Sequence, residues 1–406
     1  WLGLKLAGLI AALSLAIVLG FTLYAVSMLP PLQPWHTERL HEEFSALRHG
    51  DLDFAGYLQR EEKLFAELRE TVAKWDSRDE AYRHGRFNPA SAVNRLADGA
   101  PHNRSFRLTQ REPKGQALLV HGLSGHPSDL KDLAAQLTAA DYQVYVLIFD
   151  DMGQRIRENG AGFAREIQSL LTTKLAATES LTLIAHSAGG LITRHALNLL
   201  AASGDLGRLR SVNFYAVDTP WHGYFGPSDR TALGRLRMTI ARPFLPNGIE
   251  DLRAESELFL GDPASSHSVL RTGLLRYALP PKVRIHLYFA QSGEEVADYT
   301  EDFLASLANQ VAVYYQTSMP LSAEPRLTNF WHALIASHSY FTFQEELRRL
   351  ASSGQLNSVA VRSALLRYFP RLPGDHTGVL SAQSQGGEPS LVSLLMQAIA
   401  AQPTAA

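Results

Sequence analysis

The sequence predicts an α/β fold in which helices cover both faces of a mostly parallel sheet. Short apolar runs, such as residues 117–120 and 181–184, are typical of strands that are buried on both faces. Segments with helical periodicity follow these runs, so strands and helices alternate from residue 105 onwards. Because parallel strands must be joined by a crossover, this order and spacing predict a parallel sheet.

Further elements continue the alternation towards the end of the chain. In order, they are a helix around residues 130–137, a strand at 142–149, helices at 163–175 and 190–202, strands at 212–217 and 283–290, and a last amphipathic helix at 390–401.

Two insertions, about residues 224–282 and 321–372, carry little strand signal and are predicted to be helical caps, since insertions of this kind commonly cover a site. The first cap contains apolar residues that either line a cleft or pack the cap onto the core: Leu236, Met238, Ile240, Phe244, Leu258, Phe259 and Leu260.

The N-terminal 29 residues predict a transmembrane signal-anchor. Lys5 is the only charged residue among them, and about 20 apolar residues are enough to span a bilayer. A cleaved signal peptide is the rival interpretation, with small residues at 25–27 for cleavage, but its apolar region is only about 7–15 residues long. We therefore expect a bacterial inner-membrane protein whose folded domain, residues 105–406, faces the periplasm. Residues 30–104 form a predicted linker with an amphipathic brace helix at 36–75.

Composition excludes several classes of protein. The 406-residue chain has a net charge of −2, and the sequence of the folded domain has no dense Lys/Arg block, which argues against a nucleic-acid partner. The chain contains no cysteine, so a thiolate zinc site, a redox pair and a disulfide framework are all excluded.

The strongest chemical signal lies where the strand at residues 181–184 meets the next helix. The segment reads Ala185-His186-Ser187-Ala188-Gly189-Gly190. A serine at such a strand–helix turn presents its hydroxyl above the sheet, and small neighbours let strand and helix pack closely. The alternative is an ordinary turn with a capping serine. Ser187 is therefore the predicted nucleophile.

A second loop supplies groups that suit an oxyanion. His121, Gly122 and Leu123 follow the strand at residues 117–120, at the sheet edge where α/β folds bind ligands. The backbone N–H groups of Leu123 and Ala188 are the predicted oxyanion donors. His121 is expected to be structural, and His186 is not assigned as the base because the turn directs it elsewhere.

These motifs carry a family resemblance over residues 116–223, about a quarter of the chain. His121-Gly122-Leu123, the segment 185–190 and Asp218-Thr219-Pro220-Trp221-His222-Gly223 together resemble the α/β-hydrolase superfamily, in particular lipases related to GPI-inositol deacylases and similar bacterial esterases. Ala185 replaces the first glycine of the usual G-x-S-x-G pattern, which adds one methyl group. The resemblance implies the α/β-hydrolase fold and a triad in the chain order Ser, acid, His.

His376 is the preferred base. It lies in a loop before the last predicted helix, where the resemblance places the histidine of the triad. His338 is the rival, because some hydrolases carry the base in a similar loop. Three further histidines have no such context and are expected to be surface or core residues: His267, His286 and His332.

The acid has several candidates. The strand at residues 283–290 ends in a segment where the family usually keeps its acid, and this segment contains Glu294, Glu295 and Asp298. Glutamate can orient an imidazole as aspartate does. We prefer Glu294 and then Asp298, with Asp218, after the preceding strand, as the fallback.

Together these features predict a serine hydrolase that cleaves a carboxylic ester, with a lipid or other apolar acyl compound as substrate and with no metal or organic cofactor. A non-catalytic protein that uses the cleft for binding is the alternative from another class, since fold alone does not determine function. An amidase or peptidase with the same triad is the third interpretation.

Overall fold

The computed structural model describes most of the predicted folded domain and one N-terminal helix. The described residues are 2–27, 106–108, 113–123, 125, 127–147, 155–173, 180–223, 247–290, 299–321, 324–372, 376, 378–380 and 390–400, with isolated positions between 41 and 70.

A seven-stranded sheet forms the centre of the described structure. Its strands are β1 (Phe106–Leu108), β2 (Gly115–Val120), β3 (Tyr142–Leu147), β4 (Ser180–His186), β5 (Ser211–Val217), β6 (Val283–Ala290) and β7 (Arg371–Leu372). Their spatial order is β1-β3-β2-β4-β5-β6-β7. Only the edge strand β1 is antiparallel to its neighbour, and the other pairs are parallel. The mostly parallel sheet that the sequence predicts is confirmed.

One helix of the described residues precedes these strands, and the others lie between and after them. They are α1 (Leu2–Ser27), α2 (Lys131–Ala139), α3 (Ile156–Thr173), α4 (Ala188–Ala202), α5 (Asn247–Asp251), α6 (Glu257–Leu260), α7 (Ser268–Thr272), α8 (Glu301–Thr317), α9 (Pro325–Ile335), α10 (Tyr340–Ser352), α11 (Ser358–Tyr368) and α12 (Leu391–Ala400).

Two apolar cores lie on opposite faces of the sheet. Neighbouring residues of one strand belong to different cores, because successive side chains point to opposite faces: Leu118 joins the larger core and Leu119 the smaller. The larger core takes in α3, α4 and the helices α8–α11, and the smaller core takes in α2 and α12. Burial on both faces explains why the strands read as continuous apolar runs.

Two predictions concern the N-terminal part of the chain: the transmembrane signal-anchor and the brace helix. The predicted transmembrane signal-anchor is not supported, because no helix in the described part of the chain is both long and apolar enough to cross a membrane. The predicted brace at residues 36–75 lies outside the described residues, apart from a few isolated positions.

One helix begins earlier than the sequence predicts. Periodicity places its start at residue 163, whereas α3 begins at Ile156. The additional turns contain Asn159, Gly160 and Gly162, which are poor helix formers. Packing of α3 along α4 outweighs this local preference, since tertiary contacts routinely override propensity.

The two predicted cap insertions contain helices where the structure describes them. Residues 247–282 form the short helices α5–α7, and α9–α11 lie within 321–372. Leu258 and Phe259 are buried in the larger core, which favours a packing role for them, whereas Leu260 is 41% exposed. The other apolar candidates for a cleft, Leu236, Met238, Ile240 and Phe244, lie outside the described residues.

Close packing between α4 and the end of β5 predicts a large effect of one substitution. A Cβ atom at Gly190 would overlap Thr219 Oγ1 and come within 2.6 Å of its Cγ2. Thr219 is fully buried, so its side chain has little space into which it can turn. We expect Gly190→Ala to lower the free energy of unfolding by about 1–3 kcal/mol, as overpacking usually does. Unfolding of the wild type and the variant in urea measures this difference in the free energy of unfolding.

Gly207→Ala is the matched control, because a Cβ atom there meets nothing within 4 Å and φ is not positive. Equal unfolding midpoints for Gly190→Ala and Gly207→Ala would contradict the close packing described for α4.

Candidate active site

Ser187 lies at the predicted strand–helix turn in a strained conformation. β4 ends at His186 and α4 begins at Ala188, so Ser187 alone makes the turn. Its backbone has φ 53° and ψ −132°, a combination that costs a non-glycine residue on the order of 1–3 kcal/mol. The backbone N–H of Ser187 donates to Val217 O at 2.9 Å, and Gly190 N–H donates to Ser187 O at 2.9 Å. These bonds hold the turn in the form that presents a nucleophile.

The His121–Leu123 loop lies directly against the serine. A Cβ atom at Gly122 would stand 2.6 Å from Ser187 Cβ and 3.2 Å from Ser187 Oγ. His121 is buried and its Nδ1 lies 2.8 Å from Gly122 O, in keeping with the structural role expected of it. The loop that carries the Leu123 amide is therefore next to the hydroxyl.

Ala188 provides the other predicted oxyanion donor from the start of α4. The first four N–H groups of a helix have no partner within the helix, and the helix dipole makes this end positive. The Ala188 amide is the first of these groups and follows Ser187 directly. This end of α4 therefore favours negative charge next to the serine.

His376 is paired with Asp218. Its Nδ1 lies 2.5 Å from Asp218 Oδ2, and Asp218 is almost fully buried. Because a carboxylate only accepts hydrogen bonds, Nδ1 carries the hydrogen of this contact. In the neutral ring the lone pair is then on Nε2, which is the arrangement a general base needs.

Asp218 is itself held in place by backbone contacts. It follows β5 with φ 48°, its N–H donates to Tyr288 O at 2.7 Å, and its Oδ1 accepts from Ala290 N–H at 2.9 Å. It is also the residue after Val217, whose carbonyl binds the Ser187 amide. The carboxylate and the serine are therefore positioned by adjacent residues of β5.

The ranking of the candidate acids changes accordingly. Asp218, which the sequence interpretation places last, is the carboxylate that contacts His376. Glu294, Glu295 and Asp298 lie outside the described residues. The one signal in the sequence for Asp218 is its place directly after a buried strand, next to the strand that carries the serine. The preference for Glu294 came from the usual position of the acid in the family.

The rival base, His338, lies elsewhere. Its backbone N–H donates to Ile285 O at 2.8 Å, and the centroid of its ring lies 5.4 Å from that of the His286 ring. Tyr288 is the residue of β6 that pairs with Val217, whose carbonyl binds the Ser187 amide. Ile285 lies three residues before Tyr288, which is about 10 Å along the strand. His338 is therefore displaced from the sheet edge that carries Ser187.

The three histidines that the sequence assigns to the surface or the core lie on other elements. His286 stacks on Tyr215, and burial lowers its pKa to about 4. His332 is on α9, and His267 precedes α7. In the described residues no group of three or more potential metal ligands is present.

Comparison with known proteins agrees with the motifs. A family model described as "Putative serine esterase (DUF676)" matches residues 112–268, which include Ser187 and Asp218 but not His376. Among curated proteins, none matches the chain.

Several solved structures are similar to part of this chain at low sequence identity. A lipase of Bacillus licheniformis, BlEst2 in its mature form, is 18% identical, with a TM-score of 0.28 over 37% of this chain and 61% of that one. The NocB thioesterase domain is 19% identical, with a TM-score of 0.27 over 48% and 79%. The type II thioesterase YbtT is 12% identical, with a TM-score of 0.29 over 47% and 80%. This chain thus spans less than two thirds of the Bacillus lipase. The mostly parallel sheet and the match of residues 112–268 to a serine esterase family support an α/β-hydrolase of the lipase and esterase type.

Proposed function

We propose that this protein hydrolyses carboxylic esters through an acyl-enzyme on Ser187, with His376 as base and Asp218 as the acid that orients it. The observation that carries the proposal is the His376–Asp218 hydrogen bond, which lies beside a serine in strained backbone geometry. The main-chain oxygen of His376 also accepts a hydrogen bond of 2.7 Å from Nε2 of His186, the residue before Ser187. These two contacts support a triad built from three separate parts of the chain.

The reaction follows from this arrangement. Ser187 Oγ attacks the ester carbonyl carbon while its proton passes to His376 Nε2, and the imidazolium then returns the proton to the leaving alkoxide. Water hydrolyses the resulting acyl-enzyme by the same proton transfers in reverse order. Asp218 stabilises the imidazolium and keeps the ring in the required tautomer.

Two backbone amides are proposed to stabilise the negative charge that forms on the carbonyl oxygen. They are those of Leu123 and Ala188, which flank Ser187 from the neighbouring loop and from α4. Losing one such donor raises the barrier by about 3 kcal/mol. No step in this scheme requires a metal or an organic cofactor.

An apolar acyl group is the proposed substrate class. Leu123 is partly buried and packs against the larger core beside the nucleophile, so it offers an apolar surface to an acyl chain there. The resemblance to lipases points in the same direction.

The proposal is tested by assaying the full chain on p-nitrophenyl esters of increasing chain length, in parallel with a fluorophosphonate probe. We expect turnover, with higher kcat/KM for longer chains, and loss of activity in proportion to covalent labelling. If no ester is hydrolysed and the probe does not react, the protein is instead a binding protein with this fold. Faster cleavage of the matching anilides would favour an amidase.

A further inference from the structure

His186 lies between the two loops that flank the nucleophile. It ends β4, directly before Ser187, and is buried, with 6% of its surface exposed. Its Nε2 lies 2.7 Å from the main-chain oxygen of His376, 190 residues later in the sequence. Its Nδ1 faces the oxyanion loop, 3.2 Å from the position that a Cβ atom at Gly122 would occupy.

The contact with His376 determines the tautomer of His186. A carbonyl oxygen only accepts hydrogen bonds, so Nε2 of His186 must carry the hydrogen. Burial, with a further contribution from the nearby His376, lowers the pKa of His186 to about 4. The ring is therefore neutral at pH 7, donates through Nε2 and has its lone pair on Nδ1.

The neutral state matters because the two imidazoles are close. The ring centroids of His186 and His376 are 4.5 Å apart. A charged His186 would oppose protonation of His376 during the reaction, since like charges at this distance repel. A neutral donor adds a hydrogen bond without this repulsion.

His376 is consequently held at two points. Asp218 holds its side chain at Nδ1, and His186 holds its main-chain carbonyl. A hydrogen bond to Nδ1 alone leaves the residue able to move around that contact, whereas a second bond to the backbone limits the position from which Nε2 approaches Ser187. Errors of about 1 Å in such positions can cost about 100-fold in rate.

We propose that His186 is a positioning residue of the triad: its Nε2–H holds the main chain of His376 so that the base points at Ser187. This inference rests on the proposed function, because it assigns His186 a role in the same hydrolysis. His186 acts through His376 and does not touch the substrate.

The test compares two variants that differ in one donor group. His186→Phe keeps a ring of similar shape but has no donor, whereas His186→Gln places an amide N–H at about the reach of Nε2. We expect His186→Phe to lower kcat and the fluorophosphonate labelling rate about 10- to 100-fold, with KM within about twofold of the wild type. His186→Gln should recover most of this loss, and its thermal midpoint should be close to that of His186→Phe.

Controls separate the possible outcomes. His338→Gln, at a histidine beside the middle of β6, should leave kcat unchanged. If His186→Phe does not fold, His186→Asn replaces it, because the shorter amide cannot reach the His376 carbonyl. Wild-type rates in the variant without the donor, or equal losses in His186→Gln, would overturn the inference. A wild-type protein that neither reacts with the probe nor hydrolyses esters would instead refute the proposed function itself.

Discussion

Replacing Ser187 with alanine is expected to reduce kcat/KM for p-nitrophenyl esters by about 10⁴- to 10⁶-fold, as removal of the nucleophile does in other serine hydrolases. The substitution removes only Oγ, from a residue that is 5% exposed and whose backbone bonds to Val217 and Gly190 do not involve the side chain. The fold should therefore persist, and circular dichroism and the thermal midpoint should match those of the wild type. Initial rates at several ester concentrations provide the measurement.

Ser180→Ala is the matched control for this experiment. Ser180 lies at the other end of the same strand, where its hydroxyl contacts Ser211 and Arg210. Its loss should change kcat/KM by less than about twofold, since surface substitutions distant from a site have small effects. If Ser187→Ala retained turnover within tenfold of the wild type, the serine would not be the nucleophile.

Asp218→Asn is the second substitution for which we expect a large loss, about 10⁴-fold in kcat. Asparagine tolerates the positive φ of this residue, and its amide oxygen can still accept from Ala290 N–H. The amide NH₂ then faces His376 Nδ1, which must become the acceptor, so the hydrogen moves to Nε2. A ring with Nε2–H cannot remove the proton from Ser187.

The comparison with Glu294→Gln decides between the two acids. We expect Glu294→Gln to retain wild-type kcat, because Asp218 already occupies the Nδ1 side of His376. Steady-state kcat for both variants, with thermal midpoints as a check on folding, distinguishes the two cases. A large loss of kcat in Glu294→Gln, combined with a small loss in Asp218→Asn, would show that the acid of the triad lies in the segment after β6.

The sheet could be predicted from the sequence because its physical signals are local. Strands buried on both faces need continuous apolar runs, such as residues 117–120 and 181–184, and the alternating strand predicted at 283–290 agrees at both ends with β6. The turn at Ser187 was recognisable because its small residues follow such a strand directly. Each of these features depends on a few consecutive residues.

The acid was harder to predict because the sequence contains no local signal for its partner. Asp218 and His376 are 158 residues apart, and the contact between them depends on the path of the intervening chain. The usual position of the acid in the family favoured a carboxylate after β6. A single sequence contains no observation that contradicts this position. The role of His186 could not be predicted either. Its side chain donates to a main-chain oxygen of His376, and a main-chain oxygen leaves no signal in the sequence.

The most direct test of the central claim is to identify the residue that a fluorophosphonate probe modifies. The intact wild-type protein is labelled, digested and analysed by tandem mass spectrometry, with denatured protein as the control. We predict one adduct, on Ser187, that is absent after denaturation. An adduct on another residue, or no adduct in a protein that hydrolyses esters, would contradict the account.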